Sequence, residues 1–313
     1  MAISSASQQA AEREVERSVS VLGLGQMGFA VAQAFTKKGY KTTVWNRTAA
    51  KARPLVAAGA IVATSVGDCI ASNQLVLSCF IETQVLIEVL KTVDPQLCRG
   101  RVLVDFASGT LRETRQFQTI ARELSFAYIR GSIASTPPYV GSSQIHAWYC
   151  GNETIFRSIQ PDLAALAQPG YIDNDPGTIA LHECAGGNIF YAFAAGFVQA
   201  MAVVKASGKC HPGGAEDFVN KFMIPFLHTF PDTFRDWAHQ IDNQNYDAHG
   251  KGARLGQSAK SINLMRRFNT ELGLTSVILD PVLSLIKHRI AQGGSNEELS
   301  SLVETIADSK AGI

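Results

Sequence analysis

Short apolar segments alternate with helix-like segments in the first half of the chain. The pattern predicts strands at 19–22, 41–45, 59–62, 75–80, 101–106, 125–130 and 145–150, the last of this region, and helices at 29–38, 51–58, 110–124 and 153–167. The segment 75–80 (LVLSCF) is an apolar run, as expected of a strand with both faces covered. Strands that alternate with helices indicate a doubly wound, parallel α/β sheet.

The pattern changes after Gly170. Residues 177–207 are largely apolar, rich in alanine and free of proline, which predicts one helix about 45 Å long at 1.5 Å per residue. The rest of the chain shows no strand alternation and reads as helices broken at Pro225, Pro231, 242–252, Gly273 and Gly293–Gly294. We therefore predict a flexible tail (1–17), a Rossmann domain (18–174) and an all-helical domain (175–313) that begins with the long interdomain helix.

Composition narrows the range of partners. The 313 residues include 28 basic and 27 acidic side chains, for a net charge of +1, so electrostatics do not favour nucleic acid or an anionic membrane. The polar N-terminus lacks the apolar segment of a signal peptide. The apolar stretch 189–204, interrupted by Gln199, is shorter than the ~20 residues of a membrane span and suits a buried helix.

The cysteines point to a reducing compartment. They form no Cys-x-x-Cys pair and no Cys/His cluster with zinc-like spacing, so we predict no metal, reduced thiols and a cytoplasmic protein. The six cysteines are Cys69, Cys79, Cys98, Cys150, Cys184 and Cys210.

A glycine-rich loop joins the first predicted strand to the first predicted helix. In this Gly-x-Gly-x-x-Gly pattern Gly23 permits the tight turn, Gly25 lets the backbone approach a pyrophosphate, and Gly28 lets the helix pack against the strand. A glycine turn without a ligand is the alternative, but the strand–helix context favours a dinucleotide site. The predicted contacts are Gly23, Leu24, Gly25, Gln26, Met27 and Gly28.

The end of the second predicted strand indicates which dinucleotide binds. NAD enzymes usually place Asp or Glu there, whereas this chain has Asn46, Arg47 and Thr48, with Lys51 one turn further on. Arg47 can form a charge-assisted fork to a 2′-phosphate, Thr48 can donate its hydroxyl and Lys51 adds a positive charge. A solvated basic turn is the alternative. NADPH or NADP⁺ is therefore predicted over NAD(H).

Further cofactor contacts are expected where later parallel strands end, because ligands of such sheets bind outside the carboxyl ends of the strands. These candidates are Cys79, Phe80, Ile81, Thr83, Ala107, Ser108, Gly109 and Ala134.

Several segments together resemble the β-hydroxyacid dehydrogenase superfamily and, within it, the imine reductases and reductive aminases. They are VLGLGQMG ending at Gly28, WNRT followed by Lys51, DFASGT at 105–110, RGSIASTPPYVGSS at 130–143, and DPGTIALHECAGGNIFYAFAAGF from Asp175. The last two are the more specific, because related reductases carry a Gly-Ala-Ile-x-x-x-Pro-x-x-Ile-Gly stretch and a Leu-(His/Tyr)-Asp motif that opens the long helix. The resemblance covers nearly the whole chain from residue 18.

The resemblance also carries catalytic candidates on the long helix. True hydroxyacid dehydrogenases have a lysine in its first turns, whereas residues 177–204 contain none and Lys205 lies too far along. Glu183 falls where imine reductases usually have Asp, and Tyr191 where reductive aminases have Tyr. Eight residues separate them by about 12 Å along a helix and roughly 80° around it, so both can line one broad face. Ser108 is a third catalytic candidate.

Glu183 and Tyr191 each have a structural alternative. For Glu183 it is a helix-surface or ion-paired position, and for Tyr191 a core position with a satisfied hydroxyl; His182 is expected to be structural. The exchange of Asp for Glu at position 183 departs from the family pattern and would move the carboxylate by more than about 1 Å.

The helical domain offers candidates for an apolar substrate pocket, which would suit a hydrophobic ketone and a small amine. Core packing is the alternative for each of them. They are Met223, Phe226, Trp237, Tyr246 and Gln257. The resemblance further implies a homodimer in which the site forms between the Rossmann domain of one subunit and the helices of the other.

The resulting hypothesis is an NADPH-dependent imine reductase or reductive aminase. The runner-up is a β-hydroxyacid dehydrogenase or carbonyl reductase that uses NADP, which the missing lysine disfavours. An NADP-binding module without catalysis is the third reading.

Overall fold

The computed structural model describes residues 17–208, 213–247 and 252–308. The chain divides into two compact units, Met1–Gly187 and Asn188–Ile313. The predicted tail up to residue 16 and Cys210 lie outside the described residues.

The first unit contains one eight-stranded sheet in the order β3-β2-β1-β4-β5-β6-β7-β8. Its strands are β1 Ser18–Leu22, β2 Lys41–Trp45, β3 Ile61–Val62, β4 Leu75–Ser78, β5 Val102–Asp105, β6 Ala127–Ile133, β7 His146–Gly151 and β8 Gln168–Tyr171. All neighbouring strands are parallel except β6 and β7. The predicted α/β class is confirmed, with a mostly parallel sheet.

Two details of the sheet differ from the prediction. The strand β7 runs antiparallel to β6 because residues 134–145 contain a 3₁₀ turn at Pro137–Tyr139 but no crossover helix, which a parallel connection usually requires. The strand β7 is also not the last, because β8 pairs with it along the edge. We missed β8 because Pro169 and Gly170 disfavour strands, although an edge strand tolerates proline.

Helices cover both faces of this sheet. They are α1 Gln26–Lys37, α2 Arg53–Ala57, α3 Val66–Ser72, α4 Thr83–Leu90, α5 Pro95–Cys98, α6 Leu111–Glu123 and α7 Glu153–Leu163. One hydrophobic cluster includes Phe35 and Phe156, and a second includes Leu86 and Phe117. Because β1, β2, β4, β5 and β6 are parallel, their carboxyl ends meet at one edge of the sheet.

The predicted long helix is present as α8, Gly177–Ala206, with 30 residues. Its start is fixed by Asp175, whose carboxylate accepts a hydrogen bond from the Gly177 backbone at 2.8 Å and pairs with Arg115 at 2.7 Å. Ile179 and Ala180 are buried, whereas Ile189, Phe190, Tyr191, Phe193 and Val198 are exposed. Among the described residues, α8 is the one helix long and apolar enough to cross a membrane, which is also the composition of a core helix in a water-soluble protein.

The second unit is helical, as predicted, over the residues that the structure describes. Its helices after α8 are α9 Gly214–Phe218, α10 Ile224–Leu227, α11 Phe230–Asp242, α12 Leu255–Glu271, α13 Leu279–Ala291 and α14 Leu302–Ala307, with a π-helical turn at Val219–Met223. Pro231 stands in the first turn of α11, where a missing backbone N–H costs no helical hydrogen bond, and Pro225 lies just after the π-helical turn. The small core consists of Leu255, Ile262, Leu283, Ile286 and Leu302.

Candidate active site

The glycine loop between β1 and α1 has the shape of a phosphate cradle. Gly23 has φ +88°, and a Cβ there would lie 2.6 Å from the Cys79 carbonyl oxygen. A Cβ on Gly28 would lie 2.0 Å from the Gly23 carbonyl oxygen, so packing excludes a side chain at either position. Gly25, by contrast, faces open space, with nothing within 4 Å of its Cβ position. Since no side chain caps α1, its first N–H groups are available to a phosphate, and the loop fits a pyrophosphate.

Asn46 ties the end of β2 to this loop. Its side-chain oxygen accepts a hydrogen bond from the Leu24 backbone at 2.9 Å, and its amide donates to the Thr48 carbonyl at 3.0 Å. The two bonds hold the turn that carries Arg47, Thr48 and Lys51, all of which are exposed. A phosphate bound beside this turn could therefore reach two cationic groups and a hydroxyl.

The loops that follow β4 and β5 are joined at the same edge of the sheet. The Ser108 carbonyl accepts hydrogen bonds from the Thr83 backbone at 2.9 Å and from its hydroxyl at 3.3 Å. Gly109 is required there, because a Cβ would lie 2.3 Å from the Thr83 hydroxyl oxygen. The structure thus brings the predicted cofactor residues of both loops to the edge that carries the glycine cradle. Ala134 follows β6 at this edge and is exposed.

A charged pair lies inside the sheet beneath this edge. Asp105 on β5 stands directly opposite Arg130 on β6, and both side chains are buried. The Asp105 carboxylate accepts hydrogen bonds from the Ser78 hydroxyl at 2.9 Å and the Ala107 backbone at 2.8 Å. The Arg130 guanidinium donates to the Asp105 carbonyl at 2.8 Å and to the Gly131 carbonyl at 3.0 Å. These bonds fix both charged groups in place.

Glu183, the predicted catalytic carboxylate on α8, forms an ion pair with this buried guanidinium. Its Oε2 accepts a hydrogen bond from Arg130 Nη2 at 2.8 Å, and its side chain is 24% exposed, so the carboxylate stays accessible from one side. Burial raises the pKa of Glu183, while Arg130 and a hydrogen bond from Ser132 lower it. The ion-paired alternative for Glu183 is therefore realised in the structure, and partial exposure keeps the carboxylate available for chemistry.

Arg130 and Asp105 are the residues that our sequence reasoning missed. The sequence contained a signal for them. Buried parallel strands are usually runs of apolar residues, and Asp105 and Arg130 are charged residues within such strands. The polar alternation Tyr128, Arg130, Ser132 along β6 also marks one face of that strand as polar.

Tyr191, the second catalytic candidate, lies in the second unit and is 74% exposed. Its ring contacts Phe190 edge to face, with centroids 5.4 Å apart. It lines an open, mostly apolar groove of about 520 Å³ with Val198, Leu274 and Val277. The core alternative for Tyr191 is thus wrong within this chain, because the side chain packs in no core.

The structure does not bring the five predicted substrate residues into one cavity. Trp237 lines a cavity of about 380 Å³ with a mixed polar and apolar lining and donates its indole N–H to Glu298 at 3.0 Å. Tyr246 lines another cavity, of about 510 Å³, and its hydroxyl donates to Glu304, which raises the pKa of Tyr246 to about 12.

Gln257, Met223 and Phe226 lie elsewhere in the second unit. The Gln257 side chain accepts a hydrogen bond from the Arg254 backbone at the start of α12. Met223 ends the π-helical turn, and Phe226 belongs to a row of aromatic rings with centroids 4.9 to 5.9 Å apart. This aromatic row, whose four-residue spacing the sequence displays, consists of Phe218, Phe222, Phe226, Phe230 and Phe234.

Over the described residues, no group of three or more His, Cys, Asp or Glu side chains is placed to hold a metal ion. Cys69, Cys79, Cys98 and Cys150 are buried, and burial raises the pKa of the Cys69 thiol to about 12.

Comparison with known proteins defines the class to which this fold and site belong. Residues 18–183 match the NAD binding domain of 6-phosphogluconate dehydrogenase, and residues 175–308 match the NADPH-dependent reductive aminase-like C-terminal domain. The protein is accordingly an oxidoreductase with a Rossmann domain of the 6-phosphogluconate dehydrogenase type and a helical domain of the reductive aminase-like type.

Individual relatives narrow this class. The chain is 30% identical to an NADPH-dependent reductive aminase from Aspergillus oryzae, over 93% of this chain and 97% of that protein. A structure of a reductive aminase from Aspergillus terreus, in complex with NADPH4, cyclohexanone and allyl amine, has a TM-score of 0.85 and 28% identity over 93% of this chain and all of that one. An imine reductase from Bacillus cereus has a TM-score of 0.80 and 27% identity over 94% of this chain and all of that one.

The chain therefore belongs to the family of NADPH-dependent reductive aminases and imine reductases. The predicted family, enzyme class and cofactor are confirmed.

Proposed function

We propose that this protein is a homodimeric, cytoplasmic imine reductase in which Glu183 and Tyr191 act on the nitrogen of an imine formed from a ketone or aldehyde and an amine. The observation that carries the proposal is the partly exposed Glu183 carboxylate near the start of a helix that has no lysine before Lys205. A hydroxyacid dehydrogenase would need a lysine there to exchange a proton with an alcohol oxygen.

The cofactor residues divide into three groups. The glycine loop would hold the pyrophosphate, the Arg47 turn would hold the 2′-phosphate, and the joined loops at Thr83 and Ser108 would line the nicotinamide half. Bound NADPH supplies the hydride that reduces the C=N carbon.

Glu183 and Tyr191 have complementary roles toward the nitrogen. A protonated imine carries a positive charge, and a carboxylate in a partly buried position stabilises it more strongly than one in water. The Tyr191 hydroxyl would orient the nitrogen or donate a proton to it. Ser108, exposed at the carboxyl edge of the sheet, would contribute a hydroxyl near the reacting groups.

A second copy of the chain would cover the apolar surface of α8. Ile189, Phe190, Phe193 and Val198 are all exposed in the single chain. Monomeric proteins rarely expose apolar patches of more than a few hundred Å². In the proposed dimer the groove that holds Tyr191 would become part of an active site at the subunit interface.

The test measures NADPH consumption with a cyclic imine and with a ketone plus a small amine. The reverse reaction is measured as NADPH formation from NADP⁺ and a 3-hydroxy acid. We expect turnover with the first two. Tyr191→Phe and Glu183→Gln should each lower kcat about a hundredfold or more while the Kd for NADPH stays the same. His182→Gln, on the same helix and exposed, is the control and should keep the parent rate.

Three results would contradict the proposal. Oxidation of the hydroxy acid without imine turnover would favour the dehydrogenase. NADPH binding without turnover of any substrate would favour the silent module. Full activity of both variants would reject the two residue assignments.

A further inference from the structure

We propose that Arg130 is a positioning residue for imine reduction: it holds Glu183 in one place and in its ionised form, and the two residues work as a matched pair. The inference rests on the catalytic role proposed for Glu183. It identifies Arg130, a residue of the sheet, as the group that positions the Glu183 carboxylate.

The guanidinium of Arg130 is held rigidly. Its side chain is 0% exposed, Nη1 donates to the carbonyl oxygens of Asp105 and Gly131, and Nη2 donates to Glu183 at 2.8 Å. Because backbone carbonyls on two strands orient the guanidinium plane, Nη2 has one direction in which to donate. A carboxylate bound to it inherits that direction, and its own rotamer freedom is restricted.

The length of the Glu183 side chain matches this arrangement. An aspartate at the same position would be shorter by one methylene, about 1.5 Å, which is enough to lengthen a 2.8 Å contact beyond hydrogen-bond range. The buried Arg130 thus gives a physical reason for glutamate at position 183. A shorter carboxylate would leave Nη2 without this acceptor.

The charges around Glu183 explain why Arg130 also matters for ionisation. Strand β5 presents Asp105, β6 presents Tyr128 and Arg130, and β7 presents Cys150 to this network. Burial and the negative charge of Asp105 raise the pKa of Glu183, and Arg130 is the positive group that opposes them. Without Arg130 the pKa of Glu183 would rise further, so less of it would be ionised at a given pH. Only the ionised form stabilises a cationic imine.

The first experiment removes Arg130 together with its buried countercharge. The double variant Arg130→Met with Asp105→Asn deletes one charge of each sign from the sheet interior, which avoids an uncompensated buried ion. Arg130 lowers the pKa of Glu183 more than Asp105 raises it, so removing both should still move the acidic limb of the kcat/KM profile for a cyclic imine up, by about half a pH unit, and the rate on that limb should fall about threefold. The Kd for NADPH should stay within about threefold of the parent value, a change of under 1 kcal/mol.

Two further variants test whether the positive charge of Arg130 is sufficient and provide a control. Arg130→Lys keeps the positive charge and should keep the acidic limb near its parent position. Arg115→Met is the matched control, because Arg115 pairs with Asp175 at 2.7 Å beside the start of the same helix but does not contact Glu183. Its profile should equal that of the parent. A folded double variant with the parent profile and kcat would overturn the inference.

Glu183→Asp tests the pairing with every sheet residue intact, and it decides the question if the double variant does not fold. We expect a lower kcat, because the shorter carboxylate cannot keep its hydrogen bond to Nη2; a parent-like kcat would reject the matched pair. Glu183→Gln distinguishes a failure of the proposed role of Glu183 from a failure of the role inferred for Arg130. If it retains full activity, the proposed role of Glu183 fails; if it is inactive while the Arg130 variants behave as the parent, only the present inference fails.

Discussion

The two units of the chain treat their apolar residues differently. The first unit buries them in two large clusters, one on each face of the sheet, including Phe35 and Phe117. The second unit has one small cluster around Leu255 and Ile286, and it leaves Phe222 and Phe226 about half exposed.

The contrast shows which sites one chain forms by itself and which apolar surfaces it leaves exposed. The glycine cradle, the Asn46 turn and the Arg130 network all lie in the first unit and have their hydrogen-bond partners within it. Tyr191 and the aromatic row lie in the second unit on surfaces that remain exposed. In the dimer that we propose, the first unit would supply the cofactor contacts named above, and the second copy would cover the exposed face of α8.

The largest effect should come from a charge on the exposed face of α8. Phe193→Glu would place a carboxylate in the proposed interface, and burying an unpaired charge costs several kcal/mol, so dimer affinity should fall more than about a hundredfold. Light scattering should show a monomer, and imine turnover should be lost while NADPH still binds. Ile61→Glu in β3 is the control, because both parent side chains are 47% exposed. If both substitutions lowered dimer affinity and imine turnover equally, the proposed interface on α8 would be contradicted.

A smaller effect is expected from the glycine cradle of the first unit. Gly28→Ala places a Cβ against the Gly23 carbonyl oxygen, so the loop must shift, and we expect a lower Tm and an NADPH affinity reduced more than about tenfold. Gly25→Ala meets no protein atom within 4 Å and should keep the parent Tm while weakening NADPH. Differential scanning fluorimetry and titration of NADPH fluorescence separate the two results. An unchanged Tm in Gly28→Ala would show that the cradle is not rigid.

The smallest effect should be confined to the choice between cofactors. Arg47→Ala removes one charge-assisted contact to the 2′-phosphate; because this side chain is exposed to solvent, we expect a loss of about 1 kcal/mol with NADPH and little change with NADH. The ratio of the two Kd values measures this directly. Parallel weakening of both cofactors would mean that Arg47 acts on the loop and not on the phosphate. Dimerisation should be unaffected, since Arg47 belongs to the unit that completes its own site.

Much of the first unit could be predicted because its signals are local. The glycine spacing, the turn at Arg47 and the apolar runs of the strands each depend on residues close in sequence. The strand β8 escaped prediction because its pairing with β7, and not its own composition, makes it a strand. The antiparallel β7 likewise follows from a connection without a helix, for which the strand pattern carries no sign.

In the candidate site, too, some features could be predicted from nearby residues, whereas others depend on residues far apart in the sequence. Glu183 could be selected from its place on the helix, but its partner Arg130 is distant in sequence and meets it only because β6 passes beneath α8. The pocket candidates Trp237 and Tyr246 were chosen as aromatic residues in the helical domain, and neither their separate cavities nor their carboxylate partners could be inferred from spacing.

Residues close together in the chain were enough to predict a Rossmann domain for NADP(H), a long helix and a helical domain, because backbone conformation and hydrophobic periodicity depend on neighbouring residues. The ion pair between the Glu183 carboxylate and a buried arginine, and the exposure of Tyr191, became visible in the folded protein. Burial and ion pairing depend on which distant segments meet, and these contacts set the charge and position of a side chain that we propose to be catalytic.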